Sequence, residues 1–102
     1  MEVLLDRVLV DVDGEEIKDR TSKGVEVPLT LRRVCINALT LSYSDEPNLK
    51  GEEKLRRWEL AKTIMCKPDP VSLMSEEVVL IKTLIAKAYN TLIVGQAWEV
   101  LR

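Results

Sequence analysis

The last third of the chain constrains its fold more than any other stretch. Within residues 75–102, apolar side chains recur at steps of three and four, the spacing that places them on one side of an α-helix. The first set is Val78, Ile81, Leu84, Ile85 and Ala88, and the second, after Tyr89 and Asn90, is Val94, Ala97, Trp98 and Leu101. The pattern therefore predicts two helices joined by a very short turn, each with one apolar side to bury.

Polar residues mark where these two helices begin and end. Ser75 is a suitable N-cap for the first, and Glu76 and Glu77 then lie in its first turn, where negative charge favours the helix dipole. Asn90 tolerates the left-handed conformation that often closes a helix, and Thr91 can cap the next helix.

Two further helices are predicted upstream. One begins after Thr30, whose hydroxyl can accept a hydrogen bond from the first turn, and extends to about Ser42. The other begins within residues 48–51 and ends at residues 67–70, which contain two prolines. The apolar stripe of the first is Leu31, Val34, Cys35, Ala38, Leu39 and Ser42, and that of the second is Leu55, Trp58, Ala61, Ile64 and Met65.

The N-terminal residues favour a β-hairpin. Residues 3–12 are rich in Val and Leu and alternate imperfectly, which predicts a strand partly buried on both faces. Asp13 and Gly14 form a strong signal for a tight turn, and residues 15–18 would return as a weak second strand. The polar residues that follow predict a flexible surface loop over 19–27, with a short extended piece at its end.

The predicted fold class is α+β and helix-dominated, with an N-terminal β-hairpin followed by about four α-helices. A chain of 102 residues is long enough for one core but not comfortably for two, so a single domain is expected. Residues 1–27 would hold the hairpin and the flexible loop, and residues 28–102 would form the helical part.

The composition argues against catalysis and against a metal or cofactor. The chain has no histidine, so the commonest general base and metal ligand is missing, and its four glycines stand singly rather than in a phosphate-binding loop. Its two isolated cysteines cannot make a four-thiolate zinc site. In the acidic run at residues 11–16 the glycine falls at the wrong place for a calcium loop, and a hairpin turn explains the run better.

The charge pattern disfavours nucleic acid as a partner but leaves it open. The net charge of −2 provides no general attraction for a polyanion. Arg32 and Arg33 lie in the first turn of a predicted helix, where the helix dipole disfavours positive charge, and Arg56 and Arg57 form a second basic pair. Interleaved acids, including Glu53 four residues before Arg57, favour an ion-paired helix surface instead.

Trp58 and Trp98 lie on apolar stripes, so the sequence places both in the core. If either is exposed, it is the first place to look for a partner, because tryptophan is enriched at binding hot spots.

Both cysteines, Cys35 and Cys66, are expected to be buried, reduced thiols. The first residues lack the pattern of a signal peptide, and no run approaches the ~20 apolar residues that span a bilayer. A cytoplasmic protein with no membrane association is therefore predicted.

Three helical stretches carry a resemblance to a known group of proteins. They are PLTLRRVCINAL at residues 28–39, NLKGEEKLRRWELAKTI at 48–64 and SEEVVLIKTLIAKAYNTLIVGQAWEVL at 75–101. In these stretches the chain resembles a family of small, largely uncharacterised proteins of tailed phages and prophages. The shared features are Leu-Thr-Leu at residues 29–31, Gly-Glu-Glu-Lys at 51–54, and Glu-Glu at 76–77 followed by Ile-Lys at 81–82. The family often has a small hydroxyl residue where this chain has Lys50 and Met74.

The resemblance implies a phage origin. The shared features are elements of structure and include no active site, so a function in binding is expected, in the cytoplasm of the host cell. The first hypothesis is a protein-interaction module, such as an assembly accessory or chaperone, that binds a phage or host protein or a second copy of itself through apolar helix positions at 52–66 and 91–101. The alternative is a regulator or inhibitor that binds DNA through arginines or a host protein through the acidic hairpin. The candidate partner-binding residues are Arg32, Arg33, Arg56, Arg57, Trp58 and Trp98.

Overall fold

Four α-helices and two small antiparallel sheets make up the structure. The computed structural model describes all 102 residues. The helices are α1 (Leu31–Thr40), α2 (Gly51–Cys66), α3 (Ser75–Ala88) and α4 (Thr91–Val100). The strands are β1 (Glu2–Val3), β2 (Lys18–Arg20), β3 (Glu26–Pro28) and β4 (Val71–Ser72), paired as β1 with β4 and β2 with β3. The predicted helix-dominated α+β class is confirmed.

Helix α1 lies at the centre of the packing, in contact with both α2 and α3, and α4 packs against α3. One cluster of 21 buried apolar residues forms the core. Most positions predicted to be buried on α1 and α3 are buried in the structure, namely Leu31, Val34, Cys35, Ala38 and Leu39 on α1 and Val78, Ile81, Leu84 and Ile85 on α3. Helix α1 ends at Thr40, so Ser42 lies beyond it and is exposed.

The long N-terminal strand predicted over residues 3–12 is broken into pieces. Its first residues pair with β4, which lies between α2 and α3, and the next backbone N–H groups, those of Leu5 and Asp6, donate to the Asp69 carboxylate instead of to a neighbouring strand. The predicted hairpin is present over residues 9–17, where the Asp11 N–H donates to the Glu15 carbonyl and the Ile17 N–H donates to the Leu9 carbonyl. The turn at Gly14, whose φ is +82°, brings Val10 opposite Glu16 in a single bridge.

The flexible loop predicted over residues 19–27 is instead a second hairpin. Strands β2 and β3 pair in antiparallel register, and the turn between them is closed by hydrogen bonds between Thr21 and Val25 and between Gly24 and Thr21. Gly24 has φ +80°, which a residue with a side chain rarely adopts. The polar composition of this stretch concealed the hairpin, since its strands carry few of the β-branched residues that mark a strand.

The helix caps agree with the sequence at α1 and differ by one residue elsewhere. The Thr30 hydroxyl accepts from the Arg33 N–H, as predicted. Asn90 does not adopt the left-handed conformation; its φ is −81°, and its side chain caps α4 in place of Thr91, because asparagine is at least as good an N-cap as threonine. Ser75 is the first residue of α3 rather than its cap, and the Glu77 carboxylate accepts from the Met74 N–H there.

The two cysteines differ in exposure, which corrects one of two predictions. Cys35 is fully buried on α1, whereas Cys66 is exposed at the end of α2. Burial raises the pKa of the Cys35 thiol to about 12, so this thiol is both inaccessible and protonated at neutral pH. We expect a thiol reagent such as Ellman's reagent to titrate one cysteine per native chain and two after denaturation. Two rapidly reacting thiols in the native protein would contradict the burial of Cys35.

Candidate functional site

Arg32 is a structural residue rather than an exposed cation. Its side chain is only 14% exposed, and its Nε and Nη2 atoms donate to the carboxylates of Asp6 (2.8 Å) and Asp69 (2.9 Å). Its Nη1 atom donates to the backbone carbonyls of Ile64 and Lys67. The guanidinium therefore joins the N-terminal segment, α1 and the end of α2, and its charge is neutralised inside the molecule.

Arg33 and Arg56 also have acidic neighbours within the chain. The Nε atom of Arg33 donates to Asp19 at 3.1 Å, which ties α1 to strand β2. Arg56 is the most exposed of the four candidate arginines, and it lies 3.8 Å from the Glu53 carboxylate one turn earlier on α2. The structure thus does not assemble these arginines into one basic surface.

Arg57 is the one charged residue buried in the core region. Its side chain is 7% exposed and forms a two-pronged pair with Glu46, with distances of 3.0 and 2.7 Å. The predicted ion pair with Glu53 is present at 3.7 Å, a distance that leaves the Arg57 Nε without a hydrogen bond. Glu46 belongs to the loop between α1 and α2, so this pair fixes that loop against α2.

Arg57 occupies a buried position on α2, and three of the five residues of the predicted apolar stripe lie outside the core. The buried residues of α2 are Arg57, Leu60, Ala61 and Ile64. Leu55, Trp58 and Met65, which the sequence places inside, are exposed instead, and Trp58 is 47% exposed. The Lys62 ammonium lies 5.7 Å from the centroid of the Trp58 ring. We call the set Leu55, Trp58, Lys62 and Met65 the α2 stripe.

A cleft of about 500 Å³ lies beside the α2 stripe, between α2 and the α1–α2 loop. Trp58 forms part of its wall, together with Leu41, Pro47 and Leu49 from the loop. Lys54 also lines the cleft and has no ion-pair partner, whereas the Arg57 charge there is already paired with Glu46. The cleft is therefore an extension of the apolar surface around Trp58 and not a second charged site.

Trp98 is also exposed, at 39%, contrary to the core position predicted for it. Its indole N–H donates to the carbonyl of Lys82 on α3, and the Lys82 ammonium lies 4.6 Å from the ring centroid. The ring is therefore held against α3 with one face under a cation, an arrangement that stabilises both side chains.

Beside Lys82 lies an open groove of about 690 Å³, which we call the α3 groove. Its exposed apolar side chains are Met1, Met74 and Val79. Its charged residues are Glu76, Lys82 and Arg102, none of which has an ion-pair partner in the structure. The groove thus combines a flexible apolar floor with an excess of one positive charge. Its residues come from both ends of the chain, from the segment before α3 and from α3 itself, so no local sequence pattern points to it.

The carboxylates that pair with the arginines make the folded protein less stable at low pH. Burial raises the pKa of Asp69, but the N–H donors of Leu5 and Asp6 and the charge of Arg32 outweigh it, so the pKa lies below the ordinary value of 3.8. The hydrogen bonds from Arg57 likewise hold the pKa of Glu46 below 4.5. A carboxylate with a lowered folded-state pKa contributes stability above its unfolded-state pKa and loses that contribution as pH falls through the folded-state value.

We therefore expect the free energy of unfolding to fall steadily below about pH 4. In Asp69→Asn, position 69 no longer takes up a proton, so the variant should be less stable than the parent at pH 7 and lose less on acidification. Urea unfolding at a series of pH values measures both quantities. Equal stability of the parent protein at about pH 7 and about pH 2.5 would contradict the role of these carboxylates.

Two general site types are not seen. No group of three or more His, Cys, Asp or Glu side chains is placed to hold a metal ion. None of the helices combines the length and the apolar character needed to cross a bilayer.

Comparison with known proteins identifies no relative. No protein-family model matches the chain, and neither the curated proteins nor the solved structures contain a match. The resemblance to phage proteins stays a prediction from the three helical stretches at residues 28–39, 48–64 and 75–101. Support for a function comes from the surface of this chain, chiefly from the α3 groove.

Proposed function

We propose that the protein is a non-enzymatic interaction module of phage or prophage origin, an assembly accessory or chaperone that binds another protein. The observation that supports this most is the exposure of Met1, Met74 and Val79 along one open groove, beside Lys82 and the Trp98 ring that lies against it. Exposed apolar patches on soluble proteins mark contact sites, and tryptophan is enriched at the centres of such contacts. The absence of histidine, the commonest general base, argues against acid–base catalysis.

The α3 groove is the proposed site for the partner. Methionine side chains at positions 1 and 74 are unbranched and flexible, so they can fit apolar side chains of different shapes. Lys82 and Arg102 supply positive charge at the rim of this floor, with only Glu76 against them. The groove is therefore complementary to an amphipathic segment that presents leucine or aromatic side chains together with Asp or Glu.

A selection from a displayed peptide library tests this proposal with the whole protein as the target. We expect the enriched peptides to combine large apolar residues with acidic ones, and their affinity to fall by about tenfold or more for Val79→Glu, which places a negative charge in the groove. Lys82→Glu should weaken the same peptides and improve binding of peptides whose acids are replaced by lysine. Val12→Glu, at the fully solvated hairpin tip, is the matched control and should leave binding unchanged.

Enrichment of no peptide class, or peptides that bind Val79→Glu as well as the parent protein, would overturn the groove as the partner site. All three positions are on the surface or at its edge, so each variant should retain the fold. Circular dichroism of each variant checks this.

The second candidate is a regulator or inhibitor that binds a host protein through the acidic hairpin. It is favoured by one observation, the exposure of Val12 at 87% amid the acidic residues of the turn. Peptides that bind there would be lost with Val12→Glu and kept with Val79→Glu, so the same selection distinguishes the two candidates.

If the regulator bound DNA, it would show a measurable affinity that depends on salt concentration. We expect no binding to non-specific duplex DNA even at about 20 mM salt, because Arg32, Arg33 and Arg57 are paired with carboxylates within the chain. Fluorescence anisotropy with a labelled duplex across a salt series measures this. An affinity that falls linearly on a log–log plot against salt concentration would show that DNA is a partner after all.

A further inference from the structure

We infer that two copies of this chain associate through the outer side of α2, with their α2 helices side by side and parallel. This inference is independent of the proposed function, because it uses the α2 stripe and leaves the α3 groove free. The four side chains of the stripe are exposed, whereas the residues of α2 that pack into the core, Arg57, Leu60, Ala61 and Ile64, lie on other sides of the helix, so a second copy can contact the stripe without unfolding either chain.

The spacing of the α2 stripe is that of a short coiled-coil seam. Leu55, Trp58, Lys62 and Met65 follow one another at steps of three, four and three, which are the a, d, a and d positions of two successive heptads. All four side chains are exposed in the single chain. A lysine at one of the a positions is tolerated in such seams, where it weakens association somewhat and sets the register.

Charges on both flanks of the stripe are complementary when the helices run parallel. Lys54 precedes the first a position and is therefore a g residue, and Glu59 follows the first d position and is an e residue. In a parallel pair, each g residue faces the e residue five positions later in the other helix. Lys54 of each copy thus meets Glu59 of the other, which gives two equivalent ion pairs around a two-fold axis.

Neither residue has another ion-pair partner. Lys54 and Glu59 are both exposed, and no oppositely charged side chain of their own chain pairs with them. An antiparallel arrangement would instead bring e residues together, so that the two copies of Glu59 would repel each other. The charges therefore favour the parallel arrangement specifically.

The expected association is weak but specific. Helix α2 has 16 residues, a length of about 24 Å, which gives a contact smaller than that of a stable obligate dimer. Because α2 is already folded on its own core, association does not have to order the helix, as it must in an isolated peptide of two heptads. Association is therefore expected to be weak and to appear only at high protein concentration.

Charge reversal tests the inference through its symmetry. By sedimentation equilibrium up to about 1 mM protein, K54E and E59K should each raise the dissociation constant about tenfold or more, because each places two like-charged pairs across the interface. The double variant K54E/E59K should restore the affinity of the parent protein. An equimolar mixture of the two single variants should also restore it, because each then supplies the charge that the other needs. Lys23→Glu, an exposed lysine in the β2–β3 turn, is the matched control and should change nothing.

A cysteine placed on the seam tests the direction of the helices. In a Cys66→Ser background, Met65→Cys places two d-position thiols opposite each other in a parallel pair, and we expect a disulfide-linked dimer in a glutathione redox buffer. An antiparallel pair would separate them by about 15 Å along the helix axis, too far for a disulfide. Val79→Cys in the same background is the control and should stay monomeric.

A protein that remains monomeric at about 1 mM, or a dimer that the single charge reversals leave intact, would overturn the inference. So would failure of the mixed single variants to associate. The proposed function does not depend on these results, since binding of peptides at the α3 groove is measured with Val79→Glu, which lies outside the seam.

Discussion

Replacing Arg32 with alanine is expected to lower the free energy of unfolding by ~3–5 kcal/mol, the largest loss for any single exposed or half-buried position in this chain. The substitution removes hydrogen bonds to Asp6, Asp69 and two backbone carbonyls at the end of α2. Those carbonyls and the Asp69 carboxylate then lack a charged donor in a region that excludes much of the solvent. Urea unfolding followed by circular dichroism measures the loss.

The neighbouring arginine provides the matched control. Arg33 is 32% exposed, as is its partner Asp19, so Arg33→Ala should cost about 1 kcal/mol or less. Arg32→Lys should recover only part of the stability, because an ammonium cannot reproduce the planar fork that reaches four acceptors. Equal losses for Arg32→Ala and Arg33→Ala would show that the network around Arg32 contributes no more than an ordinary surface pair.

Glu46→Ala is expected to be the second most destabilising change at an exposed or half-buried position, at ~2–4 kcal/mol. It leaves the buried Arg57 guanidinium without its two short hydrogen bonds, and the remaining carboxylate, that of Glu53, is 3.7 Å away. Arg57→Met should cost less, since a methionine fills the buried space and Glu46 can turn toward solvent and Lys87.

The difference in stability between Glu46→Ala and Arg57→Met tests whether the ion pair explains the orientation of α2. Differential scanning calorimetry of Glu46→Ala, Arg57→Met and the double variant gives the coupling between the two side chains. If Arg57→Met proves more destabilising than Glu46→Ala, the buried charge is tolerated without its partner, and the ion pair does not explain the orientation of α2.

That orientation connects the stability of the protein to its proposed contacts. The Arg57–Glu46 pair occupies the inward side of α2 and leaves Leu55, Trp58 and Met65 outside. A buried ion pair contributes little net stability compared with an apolar pair of similar volume. The arrangement is therefore better explained as one that places an apolar stripe on the surface than as one that maximises stability.

Much of the helical part could be predicted from the sequence because its signals are local. The three-and-four spacing identified the buried sides of α1 and α3, Thr30 identified the start of α1, and the prolines after residue 66 identified the end of α2. Each of these features depends on residues within one or two helical turns of one another, where geometry leaves few alternatives.

The candidate site could not be predicted, because its residues are placed by partners far away along the chain. Trp58 and Trp98 lie on apolar stripes, and periodicity alone assigns such residues to the core. Which side of α2 faces inward depends on Glu46, eleven residues before Arg57, and Trp98 is held by Lys82, sixteen residues earlier.

The sequence by itself determined the class of fold, the helices and the sides of α1 and α3 that are buried, since backbone geometry and apolar spacing act over short distances. Only the tertiary structure decided that β1 pairs with β4, that Arg32 is an internal tie rather than a surface cation, and that both tryptophans face solvent. The physical reason is that ion pairs and strand pairs form among all the groups that the folded chain brings together, and the spacing of apolar residues along one helix carries no information about those distant groups.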